Sequence, residues 1–85
     1  MKNKVLVKVR VPEIDEEYDI YLPINKKIGN IILLLNKAIN ELTNDNFKIS
    51  NTNTLYNSFT GEKYNVDTLL LETNIRNGSI LTLLS

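Results

Sequence analysis

The sequence predicts an α+β fold in which a mixed β-sheet of four to five strands packs on one α-helix. Valine occupies every second position from Val5 to Val11, which is typical of a half-buried strand. Isoleucine and leucine recur at helical spacing between Ile28 and Leu42. A last apolar run, residues 80–84, follows an Asn-Gly turn. Strands at both ends of the chain, with one helix between them, imply a sheet that is covered on a single face.

The first two strands are predicted to form a hairpin around the acidic segment 13–17. We expect Val11 to face Tyr18 across it, which places Arg10 opposite Asp19 on the outer side. In this register the valines line the core, and the basic side chains of the first strand point outward. We interpret the acidic segment as a solvated turn rather than a site for Ca²⁺ or Mg²⁺, because its spacing does not match a calcium-binding loop.

The helix is predicted to follow Asn25 as its N-cap and to bury an apolar stripe against the sheet. Gly29 weakens it by about 1 kcal/mol relative to alanine, and packing of the stripe must outweigh this cost. The polar segment 43–54 is predicted to be a loop, with Phe47 and Ile49 as its anchors in the core.

The last third of the chain supplies the rest of the sheet. A short strand is predicted at 55–58, and residues 63–64 are a candidate return strand. Asp67 is expected to cap a helical turn at 69–71. The strand at 80–84 is expected to lie beside the first strand and parallel to it. This order fits the β-grasp topology.

The composition argues against catalysis. The chain has 85 residues, and we expect all of them, 1–85, to form a single domain. Ten basic and ten acidic residues give a net charge of zero, so no nucleic-acid partner is expected. Histidine and cysteine are absent, which removes the usual general base, the best nucleophile and the commonest metal ligands. We therefore expect no enzyme activity, no metal site and no cofactor.

The apolar segments are too short for a membrane span. The longest uninterrupted one, residues 31–35, is far below the length that crosses a bilayer. The N-terminal apolar run is broken by Lys8 and Arg10, unlike that of a secretory signal peptide. We expect a cytoplasmic protein without direct membrane insertion.

Nearly the whole chain resembles ubiquitin-like proteins. Leu22-Pro23, the Ile28 that opens the helix, and the ending Asn-Ile-Arg-Asn-Gly-Ser-Ile-Leu-Thr-Leu at 74–83 carry this resemblance. Within that superfamily, segments 22–35 and 61–84 most resemble the bacterial YukD/EsaB family, which accompanies type VII (Esx) secretion systems of Gram-positive bacteria. The resemblance implies a β-grasp accessory protein whose partners are proteins, including components of such a system.

Conjugation to target proteins is not expected. Ubiquitin-type modifiers and sulfur carriers need a flexible Gly-Gly tail, whereas this sequence stops at Ser85 and its last glycine, Gly78, precedes the final strand. Two alternatives stay open. One is a ubiquitin-like binding module unrelated to secretion, and the other is a modifier or sulfur carrier.

Candidate protein-binding residues fall into two groups, and a plain amphipathic surface is the simpler interpretation of both. The outer face of the sheet is the region through which ubiquitin-like domains commonly bind partners, although the resemblance transfers no single contact residue. Its candidates are Leu6, Lys8, Arg10, Tyr21, Ile80, Thr82 and Leu84. The second group comprises Leu33 and Leu34, which lie opposite the helix stripe and at its edge.

Overall fold

The protein is described by a computed structural model that covers residues 3–85. Its elements in chain order are β1 (Lys4–Val11), a 3₁₀ turn (Pro12–Ile14), β2 (Glu16–Pro23), α1 (Ile28–Leu42), β3 (Thr54–Asn57), a second 3₁₀ turn (Leu70–Glu72) and β4 (Ile80–Leu84). The strands form one sheet in the order β2-β1-β4-β3. β4 runs parallel to β1, as predicted, and the other neighbouring strands are antiparallel. The predicted α+β architecture is confirmed.

The register of the β1–β2 hairpin differs from the predicted one by two residues. Val11 pairs with Glu16 instead of Tyr18, and Arg10 pairs with Glu17. Side chains alternate along a strand with a period of two, so a shift of two leaves each of them on its predicted face. The prediction of faces was therefore correct although the prediction of partners was wrong.

A tight connection causes this shift. Asp15 adopts the left-handed conformation with φ of 53° and donates its N–H to the carbonyl of Pro12 at 3.1 Å. Aspartate tolerates this conformation better than most residues. The chain therefore reverses within four residues, and strand pairing resumes at once.

α1 covers the inner face of the sheet. Ile28, Ile31, Leu35 and Ile39 are completely buried, as the apolar stripe predicts, whereas Leu42 at the end of the helix is 61% exposed. The strands contribute the following buried side chains: Val7, Val9, Val11, Leu22, Leu55, Leu81 and Leu83. The core thus lies between one helix and one side of the sheet.

The start of α1 is not capped as predicted. The N-cap is Lys27 rather than Asn25, and no side chain caps the helix. Instead, the N–H groups of Ile28 and Gly29 each donate at 2.9 Å to the carbonyl oxygens of residues 68 and 66, respectively. Backbone groups from the last third of the chain therefore satisfy the free amides of the first turn.

Other local predictions were partly wrong. Phe47 is buried, as predicted, but Ile49 is 57% exposed and does not anchor the loop. Lys63 forms only an isolated bridge with Tyr56, so the described residues contribute four strands to the sheet. The second 3₁₀ turn has no side-chain cap, so Asp67 does not play its predicted role. Within residues 3–85, no helix is long and apolar enough to span a membrane.

Candidate protein-binding surfaces

The sheet face opposite α1, called the outer face below, carries seven of the nine predicted binding residues. Leu6, Lys8 and Arg10 alternate along β1 with the buried valines and therefore point outward. Tyr21 is the cross-strand neighbour of Leu6, and Thr82 is the neighbour of Arg10. The other two residues are Ile80 and Leu84, which precede and follow Thr82 on the same side of β4. The strand register thus assembles this predicted group into one continuous surface.

The apolar part of the outer face lies around Leu6 and Tyr21. These side chains are 38% and 48% exposed and adjoin each other across the β1–β2 ladder. They line an open groove of about 490 Å³, together with Lys4, Lys8, Asp19 and Ile80 among others. A shallow apolar centre with a charged margin is the composition of many protein-docking surfaces.

The end of this groove is held by the Asn77-Gly78 turn. The N–H of Leu6 donates to Asn77 Oδ1 at 2.8 Å, and the N–H of Gly78 donates to the carbonyl of Leu6 at 2.8 Å. Gly78 has φ of 88°, a conformation that glycine adopts without strain. These two bonds pair both backbone polar groups of Leu6 and hold the strand against the turn.

Basic side chains of the outer face are paired with carboxylates of β2. Arg10 Nε lies 2.8 Å from Glu17 Oε2, and Lys8 Nζ lies 3.6 Å from Asp19 Oδ1. The predicted Arg10–Asp19 pair does not form, because the register is shifted. Exposed ion pairs of this kind contribute about 0–1 kcal/mol. Because of these two ion pairs, the outer face has little net charge. It is therefore better suited to a protein partner with polar and apolar groups than to a polyanion such as a nucleic acid.

Tyr56 also belongs to the outer face, although it was not predicted there. It lies opposite Thr82 in the β3–β4 ladder, and the hydroxyl groups of Thr82 and Ser58 are 2.7 Å apart. The signal that identifies it is the alternation with its buried neighbour Leu55. The outer face therefore extends over all four strands.

Phe59 is a second apolar residue that the sequence analysis missed. Its side chain is 80% exposed, at the tip of the turn after β3. Asn57 Oδ1 shapes this turn by accepting the N–H groups of Phe59 and Thr60, at 2.9 and 3.2 Å. Asparagine commonly builds such turns, so the Asn57-Ser58 pair is the signal that could have located the turn.

The base of the same turn is tied down by Tyr64. Its ring is buried, and its hydroxyl donates to Asn74 Oδ1 at 2.7 Å and accepts from Asn57 Nδ2 at 3.3 Å. Burial raises the pKa of Tyr64 above 10.0, the bond from Asn57 lowers it in part, and the charge of Glu62 raises it further. The neutral phenol is therefore the form that the fold favours.

Leu33 and Leu34 lie elsewhere. They are 63% and 41% exposed on α1, which covers the inner face of the sheet, so they do not join the outer face.

The acidic turn after β1 is not part of either surface. Among the described residues, no group of three or more acidic side chains is placed to hold a metal ion.

No protein-family model matches the sequence, and no curated protein matches it. Solved structures do match. The EccD5 ubiquitin-like domain from Mycobacterium xenopi gives a TM-score of 0.76 at 19% identity, covering 94% of this chain and 91% of that one. The ubiquitin-like domain of the Mycobacterium tuberculosis type VII secretion protein EccD1 gives 0.73 at 18% identity, covering 96% and 98%. This chain has a ubiquitin-like fold.

Two further solved structures match over nearly the whole chain. A chain of the MycP5-free ESX-5 inner membrane complex gives a TM-score of 0.76 at 18% identity over 95% of this chain, which spans only 20% of that longer chain. A structure described as molecular mimicry of SUMO in DNA repair gives 0.72 at 13% identity, over 98% and 92% of the two chains. At these identities the matches establish the fold, which proteins of several functions share.

Proposed function

We infer that this chain is a non-catalytic ubiquitin-like accessory protein of a type VII secretion system in a Gram-positive bacterium. The observation that carries this proposal is its near full-length likeness to ubiquitin-like domains of two type VII secretion proteins. The resemblance of segments 22–35 and 61–84 to the YukD/EsaB family supports the finer assignment. The protein would act in the cytoplasm, and its partners would be protein components of that system.

The outer face is the surface that we assign to this contact. Its apolar centre at Leu6 and Tyr21 lies on paired β-strands and offers a partner exposed apolar area to bury, and a backbone that is already ordered lowers the cost of binding. The paired charges around it supply a polar rim. Aromatic anchors such as tyrosine often dominate the binding energy of such surfaces.

The proposal excludes covalent attachment to targets. The three glycines of the sequence, Gly29, Gly61 and Gly78, are all separate, so it contains no Gly-Gly pair of the kind that activating enzymes use. Intact-mass spectrometry of the protein from its native host tests this part. An adenylate, a thiocarboxylate or an isopeptide-linked product would overturn it in favour of a modifier or sulfur carrier.

A deletion strain tests the secretion role. We expect loss of the gene to reduce export of Esx substrates, and re-expression of the wild-type chain to restore it. Tyr21→Ser should restore export poorly, because it removes the aromatic side chain at the centre of the outer face. Leu42→Ser is the matched control, since it removes a comparably exposed apolar side chain at the end of α1, and it should restore export fully.

Unchanged export in the deletion strain, with the secretion system intact, would overturn the proposal. A ubiquitin-like module unrelated to secretion is the second candidate, and the likeness to the SUMO mimic at a TM-score of 0.72 favours it. A partner that binds through Tyr21 but belongs to a protein complex other than a secretion system would support this second function.

A further inference from the structure

A second groove lies on the helix side of the molecule. It has a volume of about 360 Å³ and runs between the N-terminal half of α1, the loop before β3 and Val66. Its walls and floor include Gly29, Ile32, Leu33, Asn36, Asn53 and Val66. None of the residues that line it is charged, although charged residues make up 24% of the chain. The groove is thus suited to an uncharged ligand.

Gly29 fixes one wall of this groove. Its N–H donates to the carbonyl of Val66 at 2.9 Å, and a Cβ at this position would lie 3.2 Å from that oxygen. The absence of a side chain therefore lets the segment that carries Val66 sit directly on the helix. The Val66 side chain remains 44% exposed and faces the groove across from Leu33, which is 63% exposed.

Two asparagines form the polar part of the groove. Asn36 and Asn53 are only 3% and 9% exposed, and Asn53 Nδ2 donates to Asn36 Oδ1 at 2.8 Å. Asn36 in turn donates to the carbonyl of Ser50 at 3.4 Å. Both side chains are therefore held in fixed positions by each other and by the loop.

The side-chain oxygen of Asn53 is left over from this network. It accepts none of the hydrogen bonds that form within residues 3–85, yet none of the fully buried side-chain polar atoms in this range lacks a partner. The oxygen is therefore not sealed from solvent, and Asn53 is one of the residues that line the groove. An acceptor that is nearly buried and has no protein partner gains most from a ligand that donates a hydrogen bond.

We propose that this groove binds a neutral, extended peptide segment of a partner protein. One apolar side chain of the peptide sits between Leu33 and Val66, and a backbone N–H of the peptide donates to Asn53 Oδ1. A peptide supplies both an apolar side chain and a backbone donor, and the uncharged lining disfavours segments that carry lysine, arginine or carboxylates there. The site lies on a different face from the outer-face surface and does not depend on the secretion role.

Selection from a displayed library of random short peptides, with the purified chain as bait, tests the proposal. We expect binders that are uncharged around one apolar residue, and we expect amide chemical-shift changes in the protein at Gly29, Leu33 and Val66. Leu33→Gln should weaken their affinity about tenfold or more. Leu42→Gln is the matched control, because Leu42 lies on the same helix with 61% exposure and outside the groove, and it should leave affinity unchanged.

Backbone methylation of a selected peptide tests the hydrogen bond. Each amide of the peptide is N-methylated in turn, and one methylation should weaken binding about tenfold, because it removes the donor to Asn53. Equal affinities throughout the methylated series would overturn this contact.

Four other outcomes would overturn the proposal. Two of them concern the selection: the library yields no binder, or charged binders dock in the groove. The other two concern the variants: binders have the same affinity for Leu33→Gln and the wild type, or their binding depends on Tyr21. Concentration-dependent shifts of groove residues without any peptide would assign the groove to a second copy of the chain, which also contradicts the proposal. Circular dichroism of both leucine variants establishes that they fold.

Discussion

Tyr64 shows how a single buried hydroxyl holds two segments together. Its donated bond to Asn74 and its accepted bond from Asn57 join the turn after β3 to the segment before β4. Burial raises the pKa of Tyr64, and the charge of Glu62 raises it further, although the bond from Asn57 lowers it in part. The neutral phenol is therefore the form that the fold stabilises.

Replacing Tyr64 by phenylalanine is therefore expected to act in a pH-dependent way. At neutral pH the substitution should lower the free energy of unfolding by about 1 kcal/mol, because hydrogen bonds are lost. The raised pKa means that the contribution of the hydroxyl is complete below pH 10.0 and is lost as pH rises through the folded-state pKa. The gap between wild type and Tyr64→Phe should therefore narrow above pH 10.0. Urea unfolding midpoints across the alkaline range measure it, and a gap that stays constant would contradict the expectation.

At the scale of elements, α1 begins in an unfavourable electrostatic setting. Lys26 and Lys27 lie at its N-terminus, where the partial positive charge of the helix dipole repels them. The first amides are satisfied by backbone carbonyls of the segment 66–68, and Leu70 donates its N–H to the carbonyl of Lys26 at 2.9 Å. Tertiary hydrogen bonds thus replace the local cap that isolated helices need.

Lys27→Asp should stabilise the protein by about 0.5 kcal/mol, since a negative charge at this end interacts favourably with the dipole. The gain is smaller than that of an N-cap side chain that accepts from a free amide, because the amide of Gly29 already has a partner. Thermal unfolding at low and high salt measures the effect, which should shrink as salt is added. Lys37→Asp, which makes the same charge change in the middle of the helix, should give no gain. An equal gain in both variants would rule out the dipole explanation.

The elements were predictable where burial has a simple period. The valines of β1 and the stripe from Ile28 to Ile39 are visible in the sequence, because alternation and helical spacing determine which side chains face the core. The hairpin register was not predictable, since it depends on the left-handed conformation of Asp15. The helix start was also misplaced, because its amides find partners about forty residues away in the sequence.

The candidate surfaces, too, were predictable only where they depend on the periodic alternation of side chains. Leu6 and Tyr21 were predicted on the outer face, because an error of two residues in register leaves the faces unchanged. Leu33 was predicted to be exposed, but its groove was not predicted. Val66 and Asn53 reach that groove through loops whose paths have no periodic signal in the sequence.

At the scale of the whole molecule, the sheet and the helix form two layers, with one candidate surface on the exposed side of each. The outer face belongs to the sheet, and the Leu33 groove belongs to α1. The principal extents of the molecule are 31, 26 and 21 Å. The two sites share no lining residue.

Opposite placement of the two surfaces has a consequence for dosage. A protein that links two partners forms the most ternary complexes when its amount matches theirs, and an excess distributes the partners into separate binary complexes. With both surfaces occupied as proposed, export should therefore rise and then fall as expression of this chain increases. Expression from a titratable promoter, with export measured at each level, tests this. Export that reaches a plateau without declining would contradict the idea that one chain links two partners. The Leu33→Gln chain, which keeps only the outer face as a binding surface, should show that plateau.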